Sequence, residues 1–163
     1  MSERCRTEIM NILVRNANKA DYHAVRRIMN QVQEMHVAWR PDIYKSNEDL
    51  ISEEVFDLML GSGNLFVADV DGTVAGVLEI AYKHVENPAH VTRDVIFIDS
   101  MAVDAGFRGK GIGHKFFEKV KELKTISCSD GIELQVNAKN HAAYEMYKKY
   151  GFTEKSINME LLL

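Results

Sequence analysis

Apolar positions change their period along the chain, and the changes mark the elements. Ile9 to Arg15 is a short apolar run ending in Asn-Ala-Asn, which predicts a strand and a turn. Asn18 is placed to cap a helix, with Asp21 in its first turn. Tyr22, Val25, Ile28, Val32 and Met35 then recur at helical spacing. This helix is expected to run to about Trp39, because Pro41 resists continuation. A polar loop covers Arg40 to Asn47. Ser46 and Asp49 resemble a second cap, and Leu50, Val55, Leu58 and Met59 predict a shorter helix closed by Gly61-Ser62-Gly63.

Asn64 to Lys83 reads as a hairpin. Leu65, Val67 and Val70 precede Asp71-Gly72, Val74, Val77 and Ile80 follow it, and Asp-Gly between β-rich runs favours a tight turn. Val95 to Val103 is rich in β-branched residues and predicts a buried strand. Gly111 to Lys124 carries Ile112, Phe116, Val120 and Leu123 on one helical face. Ile132 to Val136 predicts a strand. Asn140 to Tyr150 predicts a helix stopped by Gly151. Phe152 to Leu163 alternates Ile157, Met159 and Leu161, the pattern of a last strand. The order β-α-α-β-β-β-α-β-α-β implies an α/β (α+β) fold: a mixed, mostly antiparallel sheet of about six to seven strands with helices on both faces.

At 163 residues the chain suits one domain, 1–163, able to bury a core without staples. Cys5 and Cys128 are too few for a disulfide framework or a four-ligand zinc site, so a reduced, cytoplasmic protein with no metal is expected. Met1 to Asn11 has no apolar stretch of a signal peptide, and no apolar run is long enough to span a membrane. A net charge of −4 disfavours a nucleic-acid partner. The charge is unevenly spread. Arg40 to Glu79 holds nine acids against two bases, and Gly106 to Thr125 holds six bases against two acids. These are either two solvated faces or the sites of a cationic and a polyanionic ligand.

The segment from Val103 to His114 follows a strand and opens a helix. It contains Arg108, Gly109, Lys110, Gly111, Ile112 and Gly113. Free amides at a helix start, glycines that let a ligand approach, and two cations suit a phosphate. The spacing fits neither a Walker loop nor a dinucleotide fingerprint. Arg108-x-x-Gly111-x-Gly113 resembles the pyrophosphate signature of the GNAT superfamily of acyl-CoA-dependent N-acyltransferases. Asn140-x-x-Ala143-x-x-x-Tyr147-x-x-x-Gly151-Phe152 is similar to the second hallmark of that family, and the likeness covers about residues 10 to 163.

The resemblance implies acetyl-CoA as co-substrate, lying where two parallel strands splay apart. A bulge in Val95–Val103 would free backbone at Met101, Ala102 and Val103 for the pantetheine arm. The amides of Arg108 to Gly113, with His114 beyond them, would hold the pyrophosphate, and Asn137 and Asn140 the arm. Lys115 and Lys119 add charge suited to the 3′-phosphate. Tyr147 would protonate the departing thiolate as general acid. Relatives that acetylate protein N-termini carry a Glu where this chain has Gln135, which cannot act as a base. Asp99, a carboxylate in an apolar strand, is the first candidate general base, with Glu79 second. His36 and His84 are further candidates. His36, Trp39 and Tyr44 would line the acceptor site, and with the acidic stretch they suit a cationic amine.

The expected activity is direct transfer of an acetyl group to a primary amine of a small molecule or protein. The alternative is a catalytically silent module that binds coenzyme A or a partner. The apolar last strand invites pairing, either within the chain or in a homodimer.

Overall fold

The computed structural model describes residues 10–162; Cys5, Ile9 and Leu163 lie outside the described residues. Five strands form one sheet in the order of the chain: β1 (Ile12–Asn16), β2 (Leu65–Val70), β3 (Thr73–Val85), β4 (Arg93–Val103) and β5 (Gly131–Leu134). The first four are antiparallel neighbours, and β4–β5 is parallel. The helices are α1 (Tyr22–Trp39), α2 (Glu53–Gly61), α3 (Ile112–Ser127) and α4 (His141–Lys149). The mixed fold is as the sequence predicts, with five strands among the described residues rather than six or seven.

Two apolar layers sandwich the sheet. Val25 and Ile28 of α1 and Phe56 of α2 pack on Val67, Val77 and Ala102. Ile112, Phe116, Phe117 and Val120 of α3 pack on Leu78, Ile80, Ile96 and Ile98 of the opposite face. The strands β2, β3 and β4 supply both layers because their side chains alternate, while β1 and β5 face only the α3 layer. Asn18 and Asp21 form the expected cap as a reciprocal box over a short 3-10 turn. Asp71 and Gly72 take φ of +50° and +89°, the left-handed pair a tight hairpin needs.

Three boundaries depart from expectation. The second helix starts at Glu53, capped by Ser52 rather than by Ser46 or Asp49; the Ser52 hydroxyl accepts from the Val55 amide at 3.3 Å. The fifth strand stops at Leu134, so Gln135 and Val136 leave the sheet. The segment after Phe152 joins no strand through residue 162. It is fastened by side-chain ion pairs instead: Lys155 to Glu133 at 2.7 Å, and Glu160 to Arg40.

Candidate active site

The site lies where β4 outruns β5. Their pairing ends at Ile98 opposite Leu134, while β4 continues to Val103. Across β4 the register with β3 slips at the same point. Glu79 faces Ser100 and Ile80 faces Ile98, which leaves Asp99 as the extra residue of a bulge. The Asp104 amide donates to the Ala75 carbonyl at 2.9 Å. Strand alternation therefore turns the amides of Met101 and Val103 the other way, into the gap that β5 has vacated. The Val103 carbonyl accepts from Arg108 Nε at 3.3 Å. Ala102 faces β3 and sends its side chain into the layer beneath α1.

The gap opens onto the glycine loop. Asp104 caps a 3-10 turn over Ala105–Phe107 by accepting from the Gly106 amide at 3.0 Å. That bond and the Arg27 guanidinium, 3.0 Å away, hold its carboxyl below the usual range. Gly109 and Gly111 take φ of +74° and +89°, which a side chain would strain. Gly111 precedes α3 as a cap with no side chain of its own. The Lys115 amide, bonded to the Gly111 carbonyl at 3.1 Å, is the first of the helix to find a backbone acceptor. Among the described residues the amides from Arg108 through His114 have no protein partner. A helix start with this many free N–H groups attracts an anion. Lys110 lies over the Phe107 ring at 4.8 Å. Lys115 is exposed and paired with Glu118, and Lys119 is half-buried and paired with Glu122.

Across the gap stands α4. Asn140 accepts from the Ala143 amide at 3.2 Å, and Asn137 accepts from the Lys139 amide at 2.9 Å. Tyr147 is half-buried between Phe117 and Phe152, with ring centroids 5.9 and 5.8 Å away. Burial pushes its phenol above the usual value. His114 meets the Tyr150 hydroxyl at 3.1 Å, which ties α3 to α4.

The two carboxylates differ. Asp99 is exposed at the bulge, so the cost of burial inferred from its apolar strand does not apply. Glu79 is half-buried, and burial, with the nearby negative charge of Asp99, pushes its carboxyl up. His84 is exposed and held by Asp94 at 2.7 Å, at the far end of the hairpin. At the end of α1, His36 lies against Tyr44 at 4.9 Å and Trp39 at 5.6 Å, so the three residues expected together are together. Burial lowers the His36 pKa, which favours its neutral ring. The acidic stretch, by contrast, does not converge. Asp42, Asp57 and Asp69 pair with Arg40, Lys19 and Arg15, and Glu79 reaches the bulge.

Sequence reasoning missed the brace under the loop. Arg27 and Gln31 of α1 both reach Asp104, and Gln31 also accepts from the Ala105 amide at 3.0 Å. Arg27 and Gln31, two polar residues four apart on one helix face, were the available signal. A groove of about 900 Å³ follows α1 beside this brace, bounded by Met35, Ala105 and Arg108.

The sequence profile described as "Acetyltransferase (GNAT) family" matches residues 27–152. The chain belongs to this family. The GNAT chain is 29% identical over 152 residues to the L-amino acid N-acetyltransferase AaaT of Escherichia coli, spanning 86% of this chain and 82% of that protein. It is 34% identical over 92 residues to an uncharacterized N-acetyltransferase of Methanocaldococcus jannaschii, spanning 56% of this chain but 40% of that protein. Among solved structures, the BH1408 protein of Bacillus halodurans superposes with a TM-score of 0.83 at 29% identity, covering 93% of this chain and 99% of that one. The aminoglycoside N-acetyltransferase AAC(6')-Iy, solved with CoA, shares the fold with a TM-score of 0.70 at 18% identity, over 94% and 95% of the two chains. Among the described residues no helix is long and apolar enough to cross a membrane.

Proposed function

We propose that this GNAT chain is an acetyl-CoA-dependent N-acetyltransferase that passes the acetyl group directly to a primary amine. The observation that carries this is the gap beside the Asp99 bulge, continuous with the free amides of Arg108–His114. A pantetheine arm can pair with the vacated edge of β4 as a strand would, while the loop receives the pyrophosphate. Arg108 supplies a full charge there. Asn137 and Asn140 flank the arm from the β5–α4 side.

The thioester would then lie near the bulge, between α4 and β3. Tyr147, kept protonated by its burial, donates to the departing thiolate. An amine of lysine type is almost wholly protonated at neutral pH and must lose a proton before attack. Glu79 is the better acceptor for that proton, because its basicity is raised whereas Asp99 stands in water. This reverses the order expected from sequence and gives Asp99 the part of raising Glu79. His36, Trp39 and Tyr44 form the aromatic wall of the acceptor side. The likeness to AaaT over most of both chains favours an amino acid as acceptor.

The test is a panel of amino acids, polyamines, aminoglycosides and peptide N-termini, each incubated with acetyl-CoA and read by released thiol. Turnover with amino acids above the others is expected. Thiol release with none of the amines would overturn the enzymatic reading.

A further inference from the structure

Arg40 caps the end of α1 and follows directly on the wall of His36, Trp39 and Tyr44. From Met35 to Tyr44 it is the one side chain with a permanent positive charge. Asp42 grips one edge of its guanidinium, accepting from Nε at 2.9 Å and from Nη2 at 2.7 Å. That fork fixes the plane of the group and leaves the Nη1 donors for a second carboxylate. Glu160, in the segment after α4, takes them.

The last turns of α1 run beside the reaction gap. Met35 Sδ accepts from Arg108 Nη2 at 3.5 Å, and Arg108 Nε donates to the Val103 carbonyl at the edge of the gap. Glu79 lies on the same face of the sheet. Its neighbours Leu78 and Ile80 enter the layer beneath α3, so Glu79 points to the α1 side. Glu160 comes to Arg40 from the other flank, past the edge strand β5, where Lys155 binds Glu133 at 2.7 Å. Its hold is light. Among the described residues the pair with Arg40 is the one polar bond that residues 156–162 make. Ile157, Met159, Leu161 and Leu162 are 78, 92, 80 and 72% exposed, so no burial backs it. An ion pair of this kind adds little to stability and exchanges readily. Arg40 thus has one fixed carboxylate and one exchangeable one, beside the acceptor wall and on the side of the base.

We propose that Arg40 holds the carboxylate of the acceptor, and that Glu160 occupies its place until the acceptor arrives. This rests on the amino-acid reading above and adds the residue that recognises the acid group. The acceptor's amine points toward Glu79, its side chain lies along the aromatic wall, and its carboxylate replaces that of Glu160 on Nη1. A tethered carboxylate acts at an effective concentration in the millimolar range, so Glu160 sets the acceptor level at which the site fills. An amine without an acid group gains nothing from Arg40.

Calorimetry reads this without turnover. Each of the standard amino acids, and the amide of each one that binds, is titrated into the protein saturated with coenzyme A, which has no acetyl group to give. Arg40→Gln should weaken amino-acid binding about 10–100-fold, as expected for the loss of hydrogen bonds to a charged group, and leave the amides unchanged. Arg40→Lys keeps the charge without the fork and should recover part of the loss. Glu160→Gln should tighten the amino acids several-fold and leave the amides unchanged. Should Arg40→Gln not fold, as read by circular dichroism, Arg40→Lys and Glu160→Gln carry the same test. Equal losses for acid and amide, no tightening in Glu160→Gln, or no amino acid bound by the wild-type protein would overturn the proposal. Binding with the expected pattern but no thiol release from acetyl-CoA would remove the acetyl transfer and keep the carboxylate site. Thiol release with amino acids whose KM is indifferent to Arg40→Gln would do the reverse.

Discussion

Glu79 feels two effects of the same sign. Burial disfavours its charged form, and the Asp99 carboxylate adds repulsion, so the proton is held to higher pH. A base must be unprotonated to work, so kcat/KM should fall on the acid side as Glu79 takes up its proton. Asp99→Asn deletes the repelling charge and should move that acid limb to lower pH. Glu79→Gln removes the acceptor and should lower kcat by about 10²–10⁴. If neither variant alters the acid limb, the base is another group or a water. Tyr147 has the opposite requirement, since an acid must keep its proton. Its raised pKa leaves the phenol intact throughout the neutral range. Tyr147→Phe should lower kcat while CoA affinity stays nearly constant; an undiminished kcat would leave Tyr147 only its place between Phe117 and Phe152.

Between elements, Gly76 sets how closely α3 approaches β3. A Cβ built there would lie 2.9 Å from Ile112 Cγ2 and from two atoms of the Phe116 ring. Both neighbours are fully packed, so Gly76→Ala should destabilise by about 1–3 kcal/mol through overpacking. Ile112 opens α3 directly after the glycine loop, so the same change should weaken coenzyme A binding. Urea unfolding and a CoA titration read the two effects, and an unchanged midpoint would show that α3 yields without cost. The contrast between α3 and the last segment explains what was legible in the sequence. The faces of α1, α3 and α4 repeat within their own residues, and Asp71-Gly72 and Gly111 carry their left-handed backbone locally. Ile157, Met159 and Leu161 alternate just as well, but a strand also needs a neighbour to bond to, which no local pattern records. Likewise Ser46 and Asp49 are as cap-like as Ser52, and only packing chose between them. The meeting of Glu79 with Asp99 depends on a one-residue slip between β3 and β4, so spacing along either strand could not reveal it.

Across the whole molecule, the proposed cofactor site draws on the end of β4, the loop at 108–114, the residues after β5, and α4. These segments are contiguous in space only when the chain is folded, so a ligand that spans them binds the native state and stabilises it. At a hundredfold excess over Kd the gain is about 2.7 kcal/mol, or a rise in Tm of roughly 5–10 °C for a chain of this size. ATP and NAD also carry pyrophosphates and test the loop without the gap. Acetyl-CoA should therefore raise Tm where ATP and NAD do not, because the arm between β4 and β5 supplies contacts that neither can make. Equal shifts from all three would reduce the site to a phosphate cradle, and no shift with acetyl-CoA would remove the cofactor assignment. Gly111→Ala separates the loop from the gap in the same assay. With φ at +89° an alanine strains the first turn of α3 and misdirects its amides, while β4 and β5 still diverge at Ile98 and Leu134. Its shift with acetyl-CoA should shrink but persist if the gap binds the arm by itself, and vanish if the anion on the loop must be seated first.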